Sequence, residues 1–153
     1  MATAFPSLVP FLSPQRVLVL AGSPNKRTVL LELGDAVADA REVGDRTAYL
    51  KALFDREDVT STGIGGGIAV PHAQMATITG FAIGIALVPA GCDFNAKDGK
   101  PVRVVVMIAA PEGDRPTYLK VLAAVAGRLS RPDVLAAMLA ARDAHGVVAA
   151  FGG

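Results

Sequence analysis

Tryptophan is absent from this chain, and two tyrosines and six phenylalanines bring the aromatic share to only 5% of its 153 residues. So few rings leave little on which nucleic-acid bases could stack. Net charge is lacking too: 15 Lys and Arg stand against 14 acidic residues, for +1 overall. That is no basic field of the kind that draws a polyphosphate chain, and nucleic acid is excluded as a partner. One cysteine, Cys92, rules out an internal disulfide framework and suits a reducing compartment. It stands in a Gly91-Cys92-Asp93 turn with no histidine near it in sequence, and reads as an ordinary loop residue. Histidines number two, His72 and His145, and no Cys or His pair has ligand spacing, so no metal site is expected. Glycine, proline or charge breaks each apolar run before it reaches the roughly 18 residues of a membrane span, so direct membrane insertion is not expected. Met1 to Leu12 lacks the basic start and long apolar centre of a signal peptide, and Pro6 and Pro10 interrupt it. The expectation is a cytoplasmic protein.

What the chain has in quantity is aliphatic carbon, since 52% of residues are hydrophobic. Its length suits one hydrophobic core, and a single domain over 1–153 is expected, with a core of about 16–151 and an N-terminal extension at 1–15. Arg16 to Leu20 is a β-prone run closed by Ala21-Gly22-Ser23-Pro24. Helical spacing of Val29, Leu30, Leu33, Val37 and Ala40 predicts a helix over 26–41. Asp45 caps a second over 45–55, with Tyr49, Leu50, Leu53 and Phe54 inward. Strands are predicted at 68–70, 80–88 and 102–109, the last two apolar at nearly every position, as in a sheet covered by helices on both faces. Helices at 114–129 (Leu119, Leu122 and Ala126 in register), 130–141 and from Asp143 onward can supply that cover. His145, at the start of the last, is expected to face solvent. Strands and helices do not alternate strictly. The predicted fold is therefore α/β with α+β character: a single-domain sandwich, its central mixed β-sheet flanked by helices on both faces.

Chemistry concentrates in Ser61 to His72, Ser-Thr-Gly-Ile-Gly-Gly-Gly-Ile-Ala-Val-Pro-His. It is not a Walker motif, because no Gly-Lys-Ser/Thr follows, nor a dinucleotide fingerprint, because Ile68 stands where a third glycine belongs. The Gly-x-Ser-x-Gly elbow of a hydrolase is missing as well. Two readings are open from the residues alone. His72 can be a nucleophile toward a phosphoryl group, since an imidazole of pKa near 6.5 is mostly neutral at cytosolic pH. Backbone N–H groups of Gly65, Gly66 and Gly67, hydroxyls of Ser61 and Thr62, and the guanidinium of Arg56 would then surround the phosphoryl oxygens. Alternatively the glycines make a tight turn and His72 is a satisfied residue at a strand end.

The segment from Arg56 through His72, Arg-Glu-Asp-Val-Thr followed by the loop above, closely resembles the signature of mannitol/fructose-type enzyme IIA domains of the bacterial phosphotransferase system, including the nitrogen-regulatory branch. Weaker likeness continues through 94–102 and Thr117 to Leu129. The resemblance implies that His72 accepts phosphate from an HPr-type phosphocarrier as a phosphohistidine, that Arg56 lies near the phosphorylated ring, and that sugar-uptake members pass the group to a cysteine of a IIB domain. It implies no metal or organic cofactor, because the incoming group already sits on a phosphohistidine. Absence of a fused IIB or IIC region inclines the reading toward the nitrogen-regulatory branch; a sugar-specific component is the alternative. Three positions depart from the family pattern. Tyr118 matches the position of a second family histidine, and a phenol can donate a hydrogen bond but brings no positive charge at neutral pH. Ala73 follows the histidine where glycine is usual, and Gly66 occupies a commonly polar position. A rival from another class is a regulatory module that uses the His72 face to bind a kinase, transporter or transcription regulator.

Overall fold

Parallel, antiparallel and broken strands meet in one open six-stranded sheet of order β1-β5-β6-β3-β2, with β4 also on β6. The strands are β1 (Val17–Val19), β2 (Gly63–Gly65), β3 (Ile68–Ala69), β4 (His72–Met75), β5 (Ala82–Cys92) and β6 (Val102–Pro111). Helices α1 (Lys26–Ala38), α2 (Arg46–Val59), α3 (Arg115–Leu129), α4 (Pro132–Ala140) and α5 (Ala144–Gly152) complete the described elements, with two short 3-10 turns before β1. The computed structural model describes residues 7–152. The predicted mixed-sheet sandwich is what is found.

Two central strands, β5 and β6, pair antiparallel over Ala82–Leu87 against Val104–Ala109 and send alternate side chains to opposite faces. Ala82, Ala86, Val105, Met107 and Ala109 join α1 and α2, including Val29, Leu33, Val37, Tyr49 and Leu53. Ile83, Ile85, Leu87, Val104, Val106 and Ile108 join α3 to α5 through Val121, Val125, Leu129, Met138, Val147 and Phe151. Both faces are dry, which is why these strands do not alternate in polarity. Small residues set the layer spacing. A Cβ on Gly84 would lie 2.5 Å from Val37 Cγ2, so α1 rests directly on the β5 backbone.

Several boundaries move for physical reasons. α2 runs one turn beyond the predicted end, to Val59, because Glu57 is buried and satisfied by Thr62 and Lys26. Predicted helix 26–41 ends at Ala38, with Asp39 as its C-cap. β5 continues to Cys92 past a register irregularity after Leu87, so Cys92 is a buried strand residue opposite Val102 and not a turn residue. In α3 the expected inward stripe is only partly right: Leu122 is half-buried against the second core, but the buried stripe is centred on its neighbours. Tyr118, Val121, Val125 and Leu129 are buried, whereas Leu119 is 48% exposed and Ala126 faces out. Part of the expected N-terminal extension packs: Leu8 is buried in the second core and the Phe11 ring meets Phe81 at 5.3 Å; residues 1–6 lie outside the described range. His145 is exposed, as expected.

Candidate functional site

His72 opens β4 because Pro71 interrupts the run alongside β6. β3 pairs parallel with Val104–Val105 and β4 with Ile108–Pro111, and between them Pro71, which has no N–H to give, only accepts, from Ile108 N–H at 2.9 Å. The kink brings the imidazole back over its own chain, with His72 Nδ1 2.9 Å from the Val70 carbonyl oxygen. A carbonyl can only accept, so Nδ1 carries the proton and Nε2 is left with the lone pair. Burial lowers the pKa of His72. The Val70 carbonyl opposes this by favouring the protonated ring, Arg56 adds to the lowering, and Glu57 works against it. Half-buried and held neutral, the ring keeps a nucleophilic nitrogen at physiological pH.

Two adjoining cavities share this ring. The larger, about 790 Å³, is lined among others by Arg56, His72, Gln74, Glu112, Arg115 and Tyr118. The smaller, about 270 Å³, includes Arg56, Ser61, Thr62, Ile64, His72 and Lys97. Arg56 is set by the last turn of α2, where one Nη1–H donates to the carbonyl of Thr60, the helix C-cap, at 3.0 Å. Its other donors are not engaged within the described residues. The Tyr118 ring centroid lies 6.2 Å from that of His72 at 55°. Burial raises its phenol pKa, with Arg56 and Arg115 pulling the other way.

Thus Arg56, Tyr118 and the Ser61-Thr62 step are brought to His72, but the predicted anion cradle is not built as expected. Gly65, Gly66 and Gly67 all have positive φ (96°, 68° and 81°) and form the β2–β3 hairpin turn; none lines either cavity. Gly66 N–H already donates to Asp98 Oδ2 at 3.0 Å. The Ser61 hydroxyl donates to the Phe94 carbonyl, and Thr62 donates both N–H (2.8 Å) and Oγ1–H (2.6 Å) to the Glu57 carboxylate. These groups shape the loop instead of offering donors to an anion. The carboxylate that organises them, Glu57, also pairs with Lys26 at 2.8 Å and is 4% exposed at its side chain. From Glu57 the order passes to the ring: Val70 N–H donates to the Thr62 carbonyl at 3.0 Å, and Val70 in turn accepts from His72.

Sequence reasoning overlooked Arg115, Glu112, Lys97 and the Lys26–Glu57 pair. Arg115 was legible in principle, since it precedes Tyr118 by three residues and shares its helix face. Glu57 carried no such signal, because an acidic residue near the end of a helix ordinarily faces water. Among the described residues no group of three or more His, Cys, Asp or Glu side chains could hold a metal ion.

Residues 10–151 match the family described as phosphoenolpyruvate-dependent sugar phosphotransferase system, EIIA 2, and the chain belongs to that family. Over 126 residues it is 36% identical to the fructose-specific EIIABC component of Bacillus subtilis, covering 82% of this chain but only 20% of that longer protein. It is 33% identical over 133 residues to the fructose-specific EIIA component of Haloferax volcanii, with 86% of each covered. The crystal structure of nitrogen regulatory protein IIA-Ntr from Neisseria meningitidis superposes with a TM-score of 0.85 at 26% identity, over 94% of this chain and 98% of that one. The protein is thus a phosphotransferase-system IIA-type protein with relatives in both the sugar-specific and nitrogen-regulatory branches. No described helix is long and apolar enough to cross a membrane.

Proposed function

We propose that this protein is a cytoplasmic phosphocarrier that accepts a phosphoryl group on His72 Nε2 from an HPr-type phosphohistidine protein. It then passes the group on, to a IIB domain or other acceptor, or signals through its phosphorylation state to a regulated kinase or transporter. The observation that carries this reading is the Nδ1–Val70 hydrogen bond, which leaves Nε2 as the free nucleophile in a ring that shares its cavities with Arg56. The ring nitrogen attacks phosphorus, the P–N bond to the donor imidazole breaks with its electron pair going to the donor nitrogen, the donor ring keeps the proton on its other nitrogen, and His72 keeps its own Nδ1 proton on the Val70 carbonyl. The carrier thereby recovers a neutral imidazole. Transfer of this kind asks the protein for positioning and for positive charge beside the phosphoryl oxygens, and Arg56 is placed to give the latter. Of the two branches we favour the nitrogen-regulatory one, on the close superposition with IIA-Ntr over nearly the whole of both chains.

Incubation with enzyme I, an HPr-type carrier and labelled phosphoenolpyruvate should place acid-labile label on the protein, and His72→Gln should abolish it while leaving stability within about 1 kcal/mol. A second reading, the regulatory binding module, draws support from Tyr118 and from two exposed apolar side chains that line the cavities, Ile64 (49%) and Leu119. Absence of label, with partner binding intact in His72→Ala, would decide for it. Labelled protein that restores fructose or mannitol uptake to a strain lacking its own IIA would move the assignment to the sugar-specific branch.

A further inference from the structure

Resting on the reading of His72 as phosphoryl acceptor, we propose that Arg115 is a second phosphoryl-holding residue, forming with Arg56 a pair of guanidinium groups that grips the phosphoryl oxygens on His72. Arg115 is the first residue of α3. Tyr118, Leu119 and Leu122 follow at three, four and seven positions, so the four share one helix face, and all four line the 790 Å³ cavity with Arg56 and His72. Two separate elements, the end of α2 and the start of α3, therefore each deliver one arginine to the cavity that His72 lines.

Charge accounts for the need. A phosphoryl group brings three acceptor oxygens and nearly two negative charges to a half-buried ring. Tyr118 is neutral and can give one hydrogen bond. Arg56 has already spent a donor on the Thr60 carbonyl. Arg115 makes no ion pair and no side-chain hydrogen bond among the described residues, so its planar fork of donors is uncommitted. Both guanidinium groups act on the Tyr118 phenol, each favouring its ionised form, so the hydroxyl lies within the field of both. The one carboxylate that lines the cavity among the described residues, Glu112, opposes an incoming anion and makes a second cation more necessary. Because Arg115 is exposed and unrestrained before the reaction, its contact forms as the charge arrives. The benefit falls on the transfer step more than on docking.

The test uses the full chain and two donors. Phosphoramidate has no protein surface: Nε2 forms the new N–P bond, the donor P–N bond breaks, and the leaving nitrogen takes up a proton to depart as ammonia. A phosphorylated HPr-type carrier is the second donor. Arg115→Gln should slow phosphorylation by phosphoramidate about tenfold, the scale of one charge-assisted contact, with the loss in kcat and not in KM. Arg115→Lys should recover most of the rate, and the thermal midpoint of both should match the wild type. The pH profile gives an independent readout. The charged and titratable groups facing His72 are Arg56 and Glu57 from α2, Lys97 from the 93–101 loop, and Glu112, Arg115 and Tyr118 from the end of β6 and α3. Because the donor nitrogen must be protonated to leave, rates are compared at each pH: the ratio of Arg115→Lys to wild type should stay level, whereas the ratio of Arg115→His to wild type should fall as pH rises through the reference imidazole value of about 6.5. A rate within twofold of wild type for Arg115→Gln with phosphoramidate overturns the proposal while the phosphocarrier reading stands. So does a raised KM for the protein donor alone, which would make Arg115 a docking residue. Failure of the wild-type chain to take phosphate from either donor removes both.

Discussion

Removing the Glu57 carboxylate should loosen the reacting ring without touching it. Glu57 accepts from Thr62 N–H at 2.8 Å, Thr62 Oγ1–H at 2.6 Å and the Lys26 ammonium at 2.8 Å. Its side chain is 4% exposed, and Lys26 is 22% exposed. Breaking a buried pair from one side costs about 3–5 kcal/mol, mostly the penalty of the partner left behind. Lys26 can turn partly to solvent and keeps the Phe94 carbonyl (3.3 Å) and ring (5.1 Å) as neighbours, which places Glu57→Ala near the lower end, about 3 kcal/mol. For a domain of this size that corresponds to a fall in Tm of about 6–12 °C. Lys26→Met should cost about 2–3 kcal/mol, and the double variant clearly less than the sum, with a coupling of about 1.5–3 kcal/mol in urea titrations. Through Thr62 and Val70 the loss should reach His72 and lower its phosphorylation rate at a temperature where the variant is still folded. Additivity of the two single variants within about 0.5 kcal/mol would refute the energetic claim. A destabilised Glu57→Ala that is phosphorylated at the wild-type rate would refute the link to the ring.

Two further substitutions probe the core beneath the site. The Tyr49 hydroxyl is buried with no hydrogen-bond partner among the described residues, and burial raises its pKa. Tyr49→Phe should therefore be neutral or stabilising by up to about 1.5 kcal/mol in chemical denaturation, and a loss of more than 1 kcal/mol would show that the hydroxyl has a partner. Gly84→Ala would set a methyl 2.5 Å from Val37 Cγ2 and 3.0 Å from Leu33 Cδ1. A loss of about 1–3 kcal/mol is expected from overpacking, relieved in part by Val37→Ala in the same chain; an unchanged urea midpoint would mean that α1 can lift from the sheet.

Much of the architecture was legible because two periodicities dominate the sequence. Runs apolar at nearly every position, 80–88 and 102–109, announced strands covered on both sides, and helical spacing in 29–40 announced the layer that covers one of their faces. Where the reading failed, a local pattern met a tertiary partner it could not anticipate. Leu119, Leu122 and Ala126 have helical spacing as good as that of Tyr118, Val121 and Val125, and only the placement of α3 against β6 decided that the second set is buried while of the first only Leu122 packs, half-buried, on the core. The glycine loop looked like an anion cradle because its residues can present N–H groups. Asp98, thirty-two positions after Gly66, already occupies one of them, and none of the three glycines lines either cavity.

By itself, the order of residues determined the covered mixed sheet, the rigid Pro71 step that delivers His72, and the class to which the Arg56-to-His72 segment belongs. Local conformational preference and burial periodicity are properties of neighbouring residues, and they survive without knowledge of the fold. Tertiary structure alone decided which ring nitrogen is free, which hydroxyls are consumed by Glu57, and that Arg115 shares a cavity with Arg56. Arg56 and Arg115 meet from helices distant in the chain, and the nearer pairs, Val70 with His72 and Glu57 with Thr62, meet only because the backbone bends between them; hydrogen bonding and Coulomb forces act over a few ångströms, a distance that spacing along a sequence does not encode.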